Sequence, residues 1–362
     1  MPINVTRSSM PSFEEYCEEI KDLWESRWLT NMGAKHNLLK ERLSDYLGVA
    51  HTELFANGHL ALYCAIKALG LAGEIITTPF TFASTTNAIV QAGCTPVFCD
   101  VGKDYTIDVS KIEALITEKT SAILAVHVYG NVCDVDAIDA IAKKHGLKVI
   151  YDAAHAFGVR YKGKGICTYG DVSMLSFHAT KVFHTIEGGA LCYADPALTA
   201  ELVKQRGFGL NGEELDCFGT NAKMNEFQAA MGLCNLRHID AEIASRKEAY
   251  DAYTARLSDI PGLKLLPLRE GIKQNYAYFP VLFDKQVFGK NRDEVIEALS
   301  AEGILARKYF YPLVSANKEF GENLSWQTPI AKQYSENIVC LPLYAHLATE
   351  DIQKICNIIL NG

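Results

Sequence analysis

Between about residue 50 and residue 200, short β-branched and aliphatic runs alternate with stretches whose apolar positions recur every three or four residues. That alternation admits few folds, because each strand must reach the next through a covering helix, giving βαβ units and a mostly parallel sheet. The strands predicted are "EIITT" (74 to 78), "PVFCD" (96 to 100), "AILAVHVY" (122 to 129), "LKVIYD" (147 to 152), "VSMLSF" (172 to 177) and "ALCYAD" (190 to 195). Between them "STTNAIVQAG", "SKIEALITE" and "VDAIDAIAKKHG" read as amphipathic helices. The expected fold class is therefore α/β, with a three-layer α/β/α large domain.

Ahead of this region, "FEEYCEEIKDLWES" and "HNLLKERLSDYLG" read as two helices, the second stopped by Gly48. After residue 235, "HIDAEIASRKEAYDAYTARLSDI" reads as a long charged helix ended by Pro261-Gly262. Beyond it, "LKLLPL", "YAYFPVLF", "RDEVIEALSAEG" and "DIQKICNIIL" imply a smaller C-terminal α+β domain. The division predicted is 1–236 for the large domain with its N-terminal helices, and 237–362 for the connecting helix and small domain.

The 362 residues, 49% hydrophobic, can bury a sizeable core, and a net charge of -8 without a basic run argues against a nucleic-acid surface. No stretch reaches the roughly 18 apolar residues of a membrane span, and the first twenty lack an apolar leader core, so the cytoplasm is the expected location. Eleven scattered cysteines without a CxxC pair argue against a zinc site or a disulfide frame, and no metal is expected.

Ligands of open α/β sheets gather at the carboxyl ends of the strands. Asp152 ends an apolar strand in "VIYDAAHAFG", where an acid is costly to desolvate unless it meets donors or a cation; read alone, it also serves as a helix N-cap. Lys181 follows a strand in "SFHATKVFHTIEGGA", five residues after Ser176 and ahead of Gly188-Gly189, which let a backbone approach closely. A desolvated lysine becomes nucleophilic, whereas an isolated one at a strand end more often snorkels to the surface. Asn57-Gly58-His59 opens a helix whose free N–H groups suit a phosphate, or forms an ordinary turn and cap. Phe82, in "TTPFTFASTTNAI", stacks on a planar ring or fills core. Taken together in chain order, phosphate cradle, aromatic face, Asp and Lys suit pyridoxal 5′-phosphate, with the lysine joining the aldehyde as an imine and the Asp holding the pyridine nitrogen protonated.

These motifs, with "TNMGAKHNLLKERLSDYLGV", "HVYGNVCDVDAI", "GTNAKMNEFQAAMGL" and "RKYFYPL", resemble the DegT/DnrJ/EryC1/StrS family of sugar-nucleotide aminotransferases nearly end to end. The resemblance implies a fold type I aminotransferase that is dependent on pyridoxal phosphate, with Lys181 as imine lysine and Asp152 as the ring-nitrogen partner. It sets His155 near the 3-hydroxyl, Phe82 on the ring, and Gly58, His59 and Ser176 at the phosphate. Asn221 matches an asparagine that reaches the phosphate of a neighbouring subunit's cofactor, which implies a homodimer with shared sites. Arg307, Tyr309 and Lys223 are substrate contacts by the same resemblance, although a salt bridge and a core aromatic fit Arg307 and Tyr309 nearly as well. His59 stands where the family has Thr, and Lys223 where arginine is common. His178 and His184 remain unassigned.

Within the family, "TNMG", "HVYGN" and the lysine motif look most like members that move the amino group of L-glutamate to C4 of dTDP-4-keto-6-deoxyglucose, giving dTDP-4-amino-4,6-dideoxyglucose (viosamine) for O-antigen or other lipopolysaccharide and surface glycans. The alternatives are a 3-aminotransferase, a UDP-linked 4-keto-sugar aminotransferase or, less favoured given Lys181, a non-catalytic regulator on this scaffold. No nucleic-acid or membrane partner is expected. A dinucleotide site is disfavoured because no G-x-G-x-x-G follows the first strand.

Overall fold

The computed structural model describes residues 2–320 and 324–361. Its largest sheet has seven strands: β1 His51–Phe55, β2 Glu74–Thr77, β3 Thr95–Phe98, β4 Thr120–Val126, β5 Lys148–Asp152, β6 Val172–Ser176 and β7 Gly189–Tyr193. They lie in the order β1-β7-β6-β5-β4-β2-β3. The pairs from β6 to β3 are parallel, whereas β7 runs antiparallel to both β1 and β6. The inner strands β4 and β5 are buried along nearly their whole length, which is why they read as continuous apolar runs.

The predicted strands coincide with β2 to β7 to within three residues at either end. The edge strand β1, "HTELF", was not anticipated. Three helix expectations need correction. "FEEYCEEIKDLWES" forms two helices, Phe13–Ile20 and Leu23–Ser26, and "SKIEALITE" only a turn at Val109–Ile112 and a 3-10 turn at Glu113–Leu115. The long helix begins earlier than expected, spanning Glu226–Leu257, because Asn225 and Gln228 form a reciprocal capping box.

That helix passes from one core to another. Its early residues Ala229 and Leu233 pack with the large sheet, and its later residues Ala249, Tyr250, Tyr253 and Leu257 join a second core with Phe279, Val281, Leu299 and Ile355. The second core covers an antiparallel sheet of Leu263–Leu265, Phe279–Phe283 and Ile338–Leu341, so the smaller C-terminal unit is α+β. The expected boundary at 236/237 thus falls inside one continuous helix. Among the described residues no helix is long and apolar enough to cross a membrane.

Two buried carboxylates hold helices from a distance. Glu226 accepts from the N–H groups of Gly33, Lys35 and His36, capping the helix Ala34–Leu47. Asp100, just after β3, accepts from the N–H groups of Ile330 and Ala331 at 3.2 and 2.8 Å and from Lys111 Nζ at 3.1 Å. It therefore anchors the start of helix Pro329–Asn337 to the large sheet. Asp100→Ala strands those donors and is expected to lower stability by about 2–3 kcal/mol; a urea unfolding curve with an unchanged midpoint would contradict this role.

Candidate active site

Residues predicted from four separate motifs meet at one end of the sheet. Gly189 pairs across the ladder with Phe55 on one side and Ser176 on the other. A Cβ on Gly189 would lie 2.6 Å from Gly58 N and 2.7 Å from Asn57 C, so only glycine lets β7 start beneath the Asn57-Gly58 turn. Gly58 in turn would carry its Cβ 3.0 Å from that of Ser176. The close approach foreseen at these glycines is therefore of backbone to backbone, and it sets Ser176 against the start of helix Gly58–Ala68.

Asn57 caps that helix by accepting from Leu60 N at 2.8 Å. The helix's own ladder cannot use the N–H groups of Gly58 and His59. Among the described residues, the Ser176 hydroxyl has no protein partner beside them. The His59 ring is held elsewhere: its nitrogens lie 3.1 Å from Ser84 Oγ and 2.9 Å from Gln91 Oε1. His59 thus offers its N–H to this cradle, while its side chain braces the next helix, Ala83–Gln91.

Phe82, the residue before that helix, is 60% exposed, so it fills no core and leaves a ring face free. Asp152, at the end of β5, is only 5% exposed. Its Oδ2 accepts from Thr85 Oγ1 at 2.7 Å and its Oδ1 from Ala154 N at 3.1 Å. Burial pushes the Asp152 carboxyl up, opposed by these two donors and by Lys181.

The Lys181 amine makes no hydrogen bond or ion pair among the described residues; only the main chain of this residue is bonded, its N–H to His178 O at 2.9 Å. Desolvation lowers its amine to about 8, partly offset by the field of Asp152. A cavity of about 10 Å³ adjoins it, lined by His155, Thr180, Asn275 and Tyr278 among others. His155 is buried, and its Nδ1 accepts from Tyr129 N at 3.1 Å, which leaves the proton on Nε2. Burial drives the imidazole well below its ordinary range, so it is a neutral Nε2–H donor. Its ring lies parallel to Phe310 and meets the edge of Tyr278.

Sequence reasoning missed the supports of His155. Tyr129 holds a left-handed backbone, φ 60°, that aims its N–H at the ring. Asn275 donates to His155 O at 2.8 Å and Phe157 O at 2.9 Å, clasping the turn after β5. Tyr129 lies in the quoted motif "HVYGN", but only the fold reveals that its main chain is what acts.

The substrate candidates divide. Arg307 is exposed and has no carboxylate partner among the described residues; it donates to Tyr309 Oη at 2.6 Å, and the Tyr309 ring packs against Tyr278. Lys223 lies on another face, donating to Asn221 Oδ1 at 2.7 Å and sitting over the Phe208 ring. Of the histidines, His178 turns outward to Thr180 and Glu187, whereas His184 is buried, donating to Ser9 O and accepting from Ile186 N. His184 is a structural tie.

Unpaired amine, dipolar cradle, buried acceptor, neutral donor and exposed ring form a site for a planar, phosphorylated aldehyde. Because only the unprotonated amine reacts, labelling of Lys181 by an acylating reagent in the cofactor-free protein is expected to rise through pH about 8. A midpoint near 10.4, the value of an exposed lysine, would contradict the desolvated setting.

Residues 12–360 match the DegT/DnrJ/EryC1/StrS aminotransferase family. The chain is 41% identical to a dTDP-4-amino-4,6-dideoxy-D-glucose transaminase of Escherichia coli, over 99% of this chain and 98% of that one. It is 29% identical to the GDP-perosamine synthase of Vibrio cholerae, over 94% of each. Among solved structures, DesI in the presence of its TDP-sugar product superposes with a TM-score of 0.95 at 32% identity, covering all of this chain and 94% of that one. Helicobacter pylori PseC, an aminotransferase of pseudaminic acid biosynthesis, gives 0.91 at 29%, covering 99% and 98%. With the match spanning nearly the whole chain, this protein belongs to the DegT/DnrJ/EryC1/StrS aminotransferase family.

Proposed function

We propose that the protein is a pyridoxal-phosphate-dependent aminotransferase moving the amino group of L-glutamate to C4 of dTDP-4-keto-6-deoxyglucose, giving dTDP-4-amino-4,6-dideoxyglucose for a surface glycan. The observation that carries the chemistry is Lys181, an unpaired amine lowered to about 8 beside a buried Asp152. The nucleotide and position rest on the 41% likeness to the Escherichia coli transaminase. Bound there, the cofactor supplies an aldehyde to carry the amino group and a ring that draws electrons from the donor's α-carbon.

The chain's own residues do the rest. The N–H groups of Gly58 and His59 and the Ser176 hydroxyl would hold the phosphate. Phe82 would cover one ring face, Asp152 accept the ring N–H, and His155 donate from Nε2 to the 3-oxygen. Lys181 Nζ, near neutrality in its proton affinity, takes the proton from the donor's α-carbon and returns it on the other side of the transfer. Arg307 and Tyr309 stand near enough to Tyr278 and His155 to meet a substrate anion.

We further propose a homodimer. Trp28, Leu29 and Met32 are exposed, as are Phe208, Leu215 and, at 98%, Phe218. Glu226 N donates to Leu29 O and Arg206 contacts Met32 Sδ, so these segments adjoin one another and Asn221. Such an apolar patch suits a second copy. A second reading of Asn221 comes from the bond of Ala56 N to Ala222 O, which runs its segment past the phosphate turn of its own chain. The cytoplasm fits eleven free thiols, nine of them buried.

Three experiments decide. Purified protein given pyridoxal phosphate is expected to gain a visible absorption that Lys181→Ala loses and Lys223→Ala retains. Product NMR after incubation with glutamate and a panel of keto-sugar nucleotides is expected to show an amine at C4 of the dTDP sugar; amination only at C3, or only of UDP sugars, selects the alternative enzymes. An equal mixture of Lys181→Ala and Asn221→Ala chains, allowed to exchange subunits, is expected to regain about one quarter of wild-type activity if each site draws on both subunits. No recovery would assign Asn221 to its own chain's site.

A further inference from the structure

We propose that Thr85 is a positioning residue for Asp152, and that Thr81 fixes the direction in which the Thr85 hydroxyl donates. This deepens the cofactor assignment above and rests on it.

Thr85 lies in the first turn of helix Ala83–Gln91 and is fully buried, as Thr81 nearly is. A threonine in a helix ordinarily returns its hydroxyl to a carbonyl of the preceding turn. Here the Thr85 Oγ1 contacts are two side chains, Asp152 Oδ2 at 2.7 Å and Thr81 Oγ1 at 2.8 Å. A hydroxyl has one proton, and an ionised carboxylate only accepts. Thr85 therefore donates to Asp152, and the contact with Thr81 must carry Thr81's proton. The chain runs one way, from Thr81 to Thr85 to Asp152, and donors aligned in sequence strengthen one another.

Each carboxylate oxygen then has a donor before any ligand arrives, Thr85 on Oδ2 and the Ala154 N–H on Oδ1. This has two consequences. The orientation of the carboxylate is held by a contact on each oxygen, with lone pairs still left to accept from a ligand. Its ionised form is favoured against burial, which on its own would drive the group toward the neutral acid. A neutral acid would offer a proton where a ring N–H needs an acceptor. Thr85 is the largest of the influences that favour the ionised form, ahead of the Ala154 N–H and the field of Lys181, while His155, on the same turn, and His127, just after β4, are both held neutral by burial and add no charge.

The test compares Thr85→Val, which keeps the shape and loses the hydroxyl, with Thr85→Ser, which keeps the hydroxyl. In cofactor-free protein, the Asp152 carboxyl is followed by carbon-13 NMR and assigned by its loss in Asp152→Asn. Thr85→Val is expected to raise its titration midpoint by about one pH unit and to weaken pyridoxal-phosphate binding about tenfold by equilibrium dialysis. Thr85→Ser stays near wild type, and Thr81→Val moves both readouts in the Thr85→Val direction by less. An unmoved midpoint with unchanged affinity in Thr85→Val overturns the proposal, as does Thr85→Ser failing alongside it. If Thr85→Val does not fold, Thr81→Val carries the same two readouts and no movement in either is the overturning result. Failure of the wild type to bind the cofactor would sink the cofactor assignment instead, and the carboxyl titration would still judge Thr85.

Discussion

The antiparallel pairing of β7 with both β1 and β6 is the constraint on which the site depends. Because Gly189 stands in register with Phe55 and with Ser176, the turn after β1 and the loop after β6 leave the sheet side by side, although more than a hundred residues separate them in the chain. A slip of one residue would turn every side chain of β7 to the opposite face. In the direction that brings Ala190 to this point it would also place a Cβ where the Asn57-Gly58 backbone runs. Phosphate cradle and lysine are thus neighbours because a glycine stands at one point in a ladder.

Around that junction the polar groups sort by how completely they are paired. Buried donors bias Asp152 toward its ionised form and fix the tautomer of His155, whose neutrality comes from burial. Among the described residues, the Lys181 amine and the Ser176 hydroxyl are left without partners. A half-buried amine and a half-buried hydroxyl left unpaired beside a buried and satisfied frame mark a place open to a ligand.

Much of this was legible in the chain. The inner strands announced themselves because burial on both faces makes them continuous apolar runs, and Lys181 and Asp152 because charged residues at the ends of such runs are costly. The edge strand β1 was not, since "HTELF" is half polar and Glu53 and Thr52 are buried by pairing, which periodicity does not report. The start of the long helix was hidden because residues 229–235 are buried all round and show no amphipathic face; the Asn225 to Gln228 spacing was the signal available. Thr85 and the Tyr129 main chain escaped because their roles arise from contacts 67 and 26 residues away, which no local pattern encodes. His59 was correctly seen as unusual, yet only its neighbours Ser84 and Gln91 explain where the ring goes.

The tie through His184 reaches further than its place in the lysine loop suggests. Its ring donates to Ser9 O, its carbonyl accepts from Asn235, and the chain ahead of Ser9 bonds to the C-terminal unit, Ile3 N to Gly303 O and Leu343 N to Val5 O. Residues 3–9 are therefore a strap from the small unit, over the long helix, to the loop that carries Lys181. The bond between Ser9 and His184 couples strap and loop, so a local opening of one strips a hydrogen-bond partner from the other. A segment far from Lys181 in the sequence thus shares in holding the loop of the candidate site.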